Sequence, residues 1–300
     1  MEIYQGNREY DIVKYIEEND LGEIQKNAKI SDLCSIRCGG IAKYLYSPKD
    51  TSSLIKFLNY NQNDYFILGN GTNVLASSKQ YDGIIIHMKK MPKWYVIKND
   101  YLYVSASYSL VEISYILAKE GYGNLEFYNS IPGTIGGAVF MNAGAFGHET
   151  KDYLEYIVLY DCQKIVKIKK EDIIYEYRKS NLEGKVILSA VFKIKKTDED
   201  VFLKMKKHQE IRKRTQPLDM PSCGSVFKNP KDVYAWELID DTGFRGYKIN
   251  NAMVSIKHAN FIVTDNAKGE DVLELIMLII YKVYKKHGIF LENEIIFFNF

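Results

Sequence analysis

The sequence predicts an α+β protein, and three observations predict it. Helical stripes at 8–20, 50–61, 109–120, 200–215 and 270–287 are interleaved with many short strand-like runs. The glycine-rich run Gly69-Asn-Gly-Thr-Asn-Val74 follows a strand but leads on to more strand instead of a long helix, which disfavours a Rossmann crossover. A second run, Ser130–Gly147, sets five glycines around Pro132 and a helix start, so little of it is core.

Composition narrows the function classes. The 300 residues are 46% hydrophobic and 26% charged, enough chain for about two or three domains. Forty basic and 38 acidic side chains leave a net charge of +2, which argues against a nucleic-acid or membrane-surface protein. The longest apolar run, Leu275–Tyr281, falls far short of the ~20 residues that span a bilayer. Acids stand near the start where a signal peptide carries bases and an apolar stretch, so a cytoplasmic location is expected. Cys34, Cys38, Cys162 and Cys223 form no CxxC pair and the five histidines are scattered singly; free thiols and no metal are expected.

Along the chain, Ile12, Val13 and Ile16 give a modest amphipathic helix over 8–20. Gly39-Gly40 marks a turn between short extended segments, and Arg37 beside it suits either a phosphate or plain solvent. Asp50–Asn61 reads as a helix on Leu54, Ile55 and Leu58, and Tyr65–Leu68 as a buried strand. Loop 69–73 suits a nest of N–H groups for a pyrophosphate. Asp82-Gly83 reads as a hairpin-type turn before strand Ile84–Met88. Trp94–Ile97 and Tyr101–Ser105 form a hairpin about Asn99-Asp100. Ser109 and Glu112 form a capping box for a helix that buries Leu110, Ile113 and Leu117 and stops at Gly121.

Gly133, Gly136 and Gly137 then either aim bare N–H groups at an anion or let a helix pack closely on a sheet. Strands follow at 154–160, 165–169 and 186–194. Between the last two, Arg178 is framed by tyrosines, as suits bidentate binding of a carboxylate or a solvent-facing arginine. A basic helix, Asp200–Thr215, ends at Gln216-Pro217. In Pro221–Pro230, Ser225 is no nucleophile elbow, because Phe227 stands where that motif needs glycine. A short helix Tyr234–Asp241, strands Ala252–Ile256 and Asn260–Thr264, and the long helix Glu270–His287 follow. The apolar strand Ile289–Phe298 carries Glu292, read as facing water, and Glu294, which has to be paired, protonated or functional.

Seven segments in one order, IRCGGIAKY (36–44), LGNGTNVL (68–75), SIPGTIGGAVFMNAGAFG (130–147), YRKS (177–180), QPLDMPSCGSVFKNP (216–230), AWELID (235–240) and LENE (291–294), make the chain resemble the UDP-N-acetylenolpyruvoylglucosamine reductases. The resemblance implies an FAD-binding part of the vanillyl-alcohol-oxidase type in two lobes, 1–90 and 91–205, with room for the C-terminal strand 289–300 in the second. It also implies an α/β substrate-binding domain over 206–288. It implies non-covalent FAD, NADPH as reductant, a UDP-sugar substrate and a monomer. Ser225 resembles the proton donor, and Arg178 and Glu294 the pair on the substrate carboxylate. Arg37, Gly39, Gly69, Asn70, Gly71, Thr72, Asn73, Val74, Ser130, Pro132, Gly133, Gly136, Gly137, Asn142, Gly144, Ala145 and Ile187 are the implied cofactor contacts. Tyr177, Lys228, Asn229 and Asn260 are the implied substrate contacts.

The chain departs from the family pattern at Ile41, Asn250-Asn251 and Ile295-Ile296, and it is too short after Arg178 for the tyrosine-bearing loop of one branch. Two other readings stay open: another flavoenzyme of this fold, with His148 or Cys38 as a covalent tether, and a nucleotide-binding protein without catalysis.

Overall fold

The computed structural model describes residues 8–300; the stretch read for a leader and the first seven residues of the expected first lobe lie outside the described residues. Helix α1 (Arg8–Glu18) is followed by β1 (Gly22–Lys29), β2 (Ile41–Pro48), α2 (Thr51–Tyr60), β3 (Tyr65–Leu68), β4 (Val74–Ala76) and β5 (Tyr81–His87). Asp50 caps α2 by accepting the Ser53 N–H at 2.7 Å. The sheet runs β1-β2-β5-β3, with β1 antiparallel to β2 and the other pairs parallel. Asp82 and Gly83 lie inside β5, so the expected hairpin there does not exist. A parallel partner needs a crossover instead of a tight turn, and α2 supplies one between β2 and β3.

The second lobe holds β6 (Tyr95–Lys98), β7 (Tyr101–Ser105), α3 (Leu110–Lys119), α4 (Ile135–Met141), β8 (Gly144–Ala145) and β9 (His148–Glu149). It continues with β10 (Leu154–Asp161), β11 (Lys164–Lys169), β12 (Tyr175–Glu176), β13 (Lys179–Ser180) and β14 (Val186–Lys193). Its antiparallel sheet is ordered β11-β10-β14-β7-β6. Asn99 and Asp100 both take positive φ, 51° and 60°, the twist that a two-residue hairpin turn requires. Ser109 caps α3, accepting from Glu112 N at 3.3 Å, while the Glu112 carboxylate turns to Lys93 instead of closing the box.

The remaining elements are α5 (Val201–Thr215), β15 (Ser222–Ser225), α6 (Ala235–Asp241), β16 (Lys248–Ile249), β17 (Ala252–Val254), β18 (Phe261–Thr264), α7 (Gly269–His287) and β19 (Ile296–Phe298). The sheet here is ordered β15-β18-β17-β16. Asn250 opens the β16–β17 turn at φ 48° and donates to Asp271 Oδ1 at 2.8 Å. Asparagine tolerates this left-handed conformation, which explains how the chain manages without the usual glycine.

Three apolar cores hold the lobes together. Leu45 and Ile85 of the first sheet and Ala76 of β4 share one core with Phe227, Leu275 and Ile279, so the 206–288 segment is fused to the first lobe through buried side chains. The other face of that sheet, Tyr46, Ile84 and Ile86, packs with Phe57 of α2 and with Tyr160 and Leu188 of the second lobe. The second lobe has its own core around Leu110, Phe127, Ile157 and Phe192. Only Ile296–Phe298 of the expected C-terminal strand is extended, and it pairs in parallel with β4. The chain end therefore joins the first lobe, not the second.

Candidate active site

A cavity of about 1040 Å³ opens where the two lobes and the C-terminal region meet. One wall is loop 69–73, which connects β3 to β4. The backbone N–H groups of Asn70 to Asn73 find no acceptor among the described residues, so they are available to an anion. Gly71 sits at φ 64°, and a Cβ there would strike the Leu33 carbonyl. Asn70 Nδ2 donates to Pro132 O at 3.0 Å, tying this loop to the second glycine-rich run.

That second run behaves differently from expectation. The Gly133 N–H donates to Ile131 O and the Gly136 N–H to Ala106 O, both at 2.9 Å, while the Gly137 N–H donates to Thr134 Oγ1 at 3.3 Å. The helix start is thus already satisfied within the protein, and the close-packing alternative holds: a Cβ on Gly136 would lie 3.1 Å from that of Ala106. Gly133, Gly136 and Gly137 still line the cavity, offering surface without bare donors.

Arg178, Ser225 and Glu294 come from three distant parts of the chain and line the same cavity. Arg178 stands in the turn of the β12–β13 hairpin at φ 57°, a conformation that non-glycine residues rarely adopt. Its Nη2 donates to Gly144 O at 2.7 Å, and its Nη1 faces Asn142 O at 3.4 Å and Glu149 Oε1 at 3.3 Å. Its Nε lies 3.4 Å from Glu294 Oε1, and the Tyr177 ring lies 4.7 Å from its guanidinium carbon. A Cβ on Gly144 would come within 3.0 Å of Arg178 Nη1.

Glu294 follows a short bridge between Phe227 and Asn293, and its backbone is held between Val226 O and Asn73 Nδ2. Burial pushes its carboxyl above the usual range, outweighing the opposing pull of Arg178 and Lys228. Ser225 ends β15, and its Oγ has no hydrogen-bond partner among the described residues. Gly224 before it, at φ 80°, turns the chain into the cavity. Together these groups offer a fixed cation, a carboxyl disposed to hold its proton and a free hydroxyl.

Known proteins match this chain over most of its length. The family model for the C-terminal domain of UDP-N-acetylenolpyruvoylglucosamine reductase matches residues 216–298, and one described as an FAD binding domain matches 42–163. The UDP-N-acetylenolpyruvoylglucosamine reductase of Caldicellulosiruptor bescii is 39% identical, over 92% of this chain and 90% of its own. That of Thermosipho melanesiensis is 37% identical, over 91% of this chain and 95% of its own. The chain belongs to the UDP-N-acetylenolpyruvoylglucosamine reductase family. The crystal structure of the Thermus caldophilus UDP-N-acetylenolpyruvylglucosamine reductase, 29% identical, covers 92% of this chain and 99% of its own at a TM-score of 0.80.

For a member of this reductase family, most of the implied cofactor contacts fall on the cavity wall. Arg37, Gly69 to Val74, Ser130, Pro132, Gly144, Ala145 and Ile187 line it together with the three glycines of the 133–137 turn. Gly39 does not; its positive φ of 139° sets it against Ile30 and Ala76. Asn142 is fully buried behind Arg178. Asn260 is also buried, with Oδ1 accepting from Phe227 N at 2.9 Å and Nδ2 donating to Phe227 O at 2.8 Å, so it shapes the segment after Ser225. Tyr177, Lys228 and Asn229 are not among the residues that line it; Tyr177 reaches the site through its ring against Arg178. Lys228 Nζ meets the exposed Glu292 at 3.3 Å, and Asn229 Oδ1 accepts from Ala235 N at the start of α6.

Sequence reading missed Thr134 and Arg212, which line the cavity, and Glu149, which touches Arg178. Arg212 Nε donates to Gln216 Oε1 at 2.8 Å, an i, i+4 pair that was visible as a spacing on the basic helix. His148 Nδ1 bonds the Tyr153 hydroxyl at 2.7 Å, and Cys38 is buried away from the cavity wall. No three His, Cys, Asp or Glu side chains gather as metal ligands among the described residues.

Proposed function

We propose that this protein reduces UDP-N-acetylglucosamine enolpyruvate to UDP-N-acetylmuramate with NADPH through non-covalently bound FAD, a step in peptidoglycan precursor synthesis. The observation that carries the proposal is a single cavity in which the open N–H nest of loop 69–73 meets the Arg178–Glu294 pair at 3.4 Å. The donor set fits the cofactor: free backbone N–H groups for a pyrophosphate, and a wall of Leu68, Ala138 and Ile187 for an apolar ring system. When bound, FAD supplies the hydride chemistry.

The protein's own groups do the rest. Hydride addition to the enolpyruvyl methylene drives negative charge onto the neighbouring carbon and into the carboxylate. Arg178, already fixed in position, stabilises that charge without reorganising. Glu294 adds no repulsion while it carries its proton. Ser225 Oγ donates a proton to the carbon, completing the reduction. Lys228 and Asn229, with Tyr177, are assigned to the substrate diphosphate at the mouth of the site.

The same reading makes the protein a cytoplasmic monomer that handles small molecules; no described helix is long and apolar enough to cross a membrane. Sedimentation at micromolar concentration tests the monomer. An anaerobic two-step experiment tests the reaction. One equivalent of NADPH bleaches the yellow protein, and added UDP-N-acetylglucosamine enolpyruvate restores the colour. Bleaching without recovery would reject the substrate, and colour that survives denaturation in the protein fraction would favour a covalent flavoenzyme of the same fold.

A further inference from the structure

We propose that Glu149, fixed by Asn142 and Lys151, is a positioning residue that holds the Arg178 guanidinium at the cavity wall and takes up part of its charge, leaving Glu294 as the acid of the pair. The inference rests on the roles given above to Arg178 and Glu294, and it adds the device that makes them compatible. A long side chain on a two-residue turn has much rotamer freedom to lose before it sits still. Arg178 is stilled by Gly144 O, Asn142 O and Glu149 Oε1 on its two terminal nitrogens, which leaves Nε toward Glu294.

Two carboxyls thus face one guanidinium, and if both were ionised they would outnumber it before an anionic substrate arrived. Their surroundings are not equal. Glu149 receives only donors: Arg178 on Oε1, and Asn142 Nδ2 at 3.1 Å and Lys151 Nζ at 2.8 Å on Oε2. These donors hold the Glu149 carboxylate in one orientation. Glu294 has one long contact, to Arg178 Nε, and no hydrogen bond to either carboxyl oxygen among the described residues.

Asn142 makes the arrangement rigid. It sits fully buried at φ 45° at the end of α4, its Oδ1 accepting from Lys151 N and its Nδ2 donating to Glu149 and to Glu176 O of the Arg178 hairpin. One amide therefore joins α4, β9 and the hairpin. The charged and titratable groups facing Glu149 are Arg178, Lys151, Asp152 and Tyr177; those facing Glu294 are Arg178, Lys228, Tyr177 and Cys223.

The test is a pH titration of the Glu294 carboxyl band by difference infrared spectroscopy on the FAD-loaded protein, the band being assigned by its loss in Glu294→Gln. The two carboxyls meet the same guanidinium at 3.3 and 3.4 Å, so at an effective dielectric of ~20 they couple by roughly one to two pH units. In Glu149→Gln the midpoint therefore falls by roughly one to two units, because Arg178 then favours ionised Glu294 alone. In Lys151→Met it rises, by less. The alkaline limb of turnover moves with it, because the reaction needs Glu294 in its protonated form. A folded Glu149→Gln protein with an unmoved or raised midpoint overturns the proposal. Should that variant not fold, an unmoved midpoint in Lys151→Met does so equally. If the midpoints move as stated but the wild type turns over no enolpyruvyl sugar, the functional reading falls and the positioning role stands.

Discussion

Replacing Ser225 by alanine separates the chemistry of the site from its architecture. Ser225 Oγ has no hydrogen-bond partner among the described residues, and the strand pairing with Phe261 runs through the backbone. Its removal leaves no orphaned group behind, so stability stays within ~0.5 kcal/mol of wild type. The proton assigned to Ser225 in the proposed reaction has no substitute at the same place: Glu294 is turned to Arg178, and Cys223 is buried with its thiol pushed up to about 12, chiefly by burial. Loss of a positioned general acid costs roughly 10²–10⁴ in rate, or about 2.7–5.4 kcal/mol of barrier. Anaerobic stopped-flow measurement of the two half-reactions isolates that loss. Flavin reduction by NADPH keeps its rate, whereas reoxidation by the enolpyruvyl sugar slows by the full factor. Equal slowing of both halves, or unchanged reoxidation, would refute the assignment of Ser225.

Three further expectations follow from named contacts. Gly144→Ala puts a methyl against His148 O and Arg178 Nη1, so it destabilises by about 1–3 kcal/mol and lowers turnover of the second half-reaction more than of the first, read by the same stopped-flow experiment. Burial alone would raise the Glu270 carboxyl, but bonds from Ser77 Oγ at 2.7 Å and Ser78 N at 2.9 Å outweigh it and leave it at about 2. Stability from this group is therefore present above pH ~4.5 and lost as pH falls toward 2; Glu270→Gln loses roughly 1–2 kcal/mol at pH 7 after solvent screening, and urea melts of the two proteins converge near pH 2. His87 is buried, and burial first, then Lys89 and Lys90, lowers it to about 4. The unfolded chain binds the proton near 6.5, so wild type loses about 3 kcal/mol between pH 6.5 and 4 through this group, and His87→Leu flattens that part of the urea-melt profile.

Much of the secondary structure was legible because its signals are local. Asn99-Asp100 announced its hairpin through turn chemistry, and the Val272, Leu275, Ile276, Ile279 and Val283 stripe announced α7 through period alone. Strand β1, Gly-Glu-Ile-Gln-Lys-Asn-Ala-Lys, was not legible: it lies at a sheet edge with most side chains in solvent, so it carries no apolar alternation. The β4–β19 pairing joins residues more than 200 positions apart and depends on tertiary packing that no local pattern encodes. At the site, Glu294 stood out as a carboxylate in an apolar strand, whereas Arg178 stayed open between a carboxylate and solvent and Ser225 was reached only through the resemblance to the family. Residue types did not reveal that the α4 start spends its N–H groups on Ala106 and Thr134, because a bare and a satisfied donor have the same sequence. Glu149 was passed over for a similar reason: its meaning lies in what surrounds it.

The pairing of β19 with β4 also sets an order of events in the life of the molecule. Loop 69–73 leads into β4, and Asn73 is anchored to Glu294 O through its side chain and to Ile296 N through its carbonyl. Until residues 294–296 have left the ribosomal tunnel both anchors are missing, so the first lobe stays unfinished until that segment has been made. A chain truncated just before Glu294 keeps nearly all of the implied cofactor contacts and is expected to purify without flavin, so that yellow colour reports that the far segment has docked on β4.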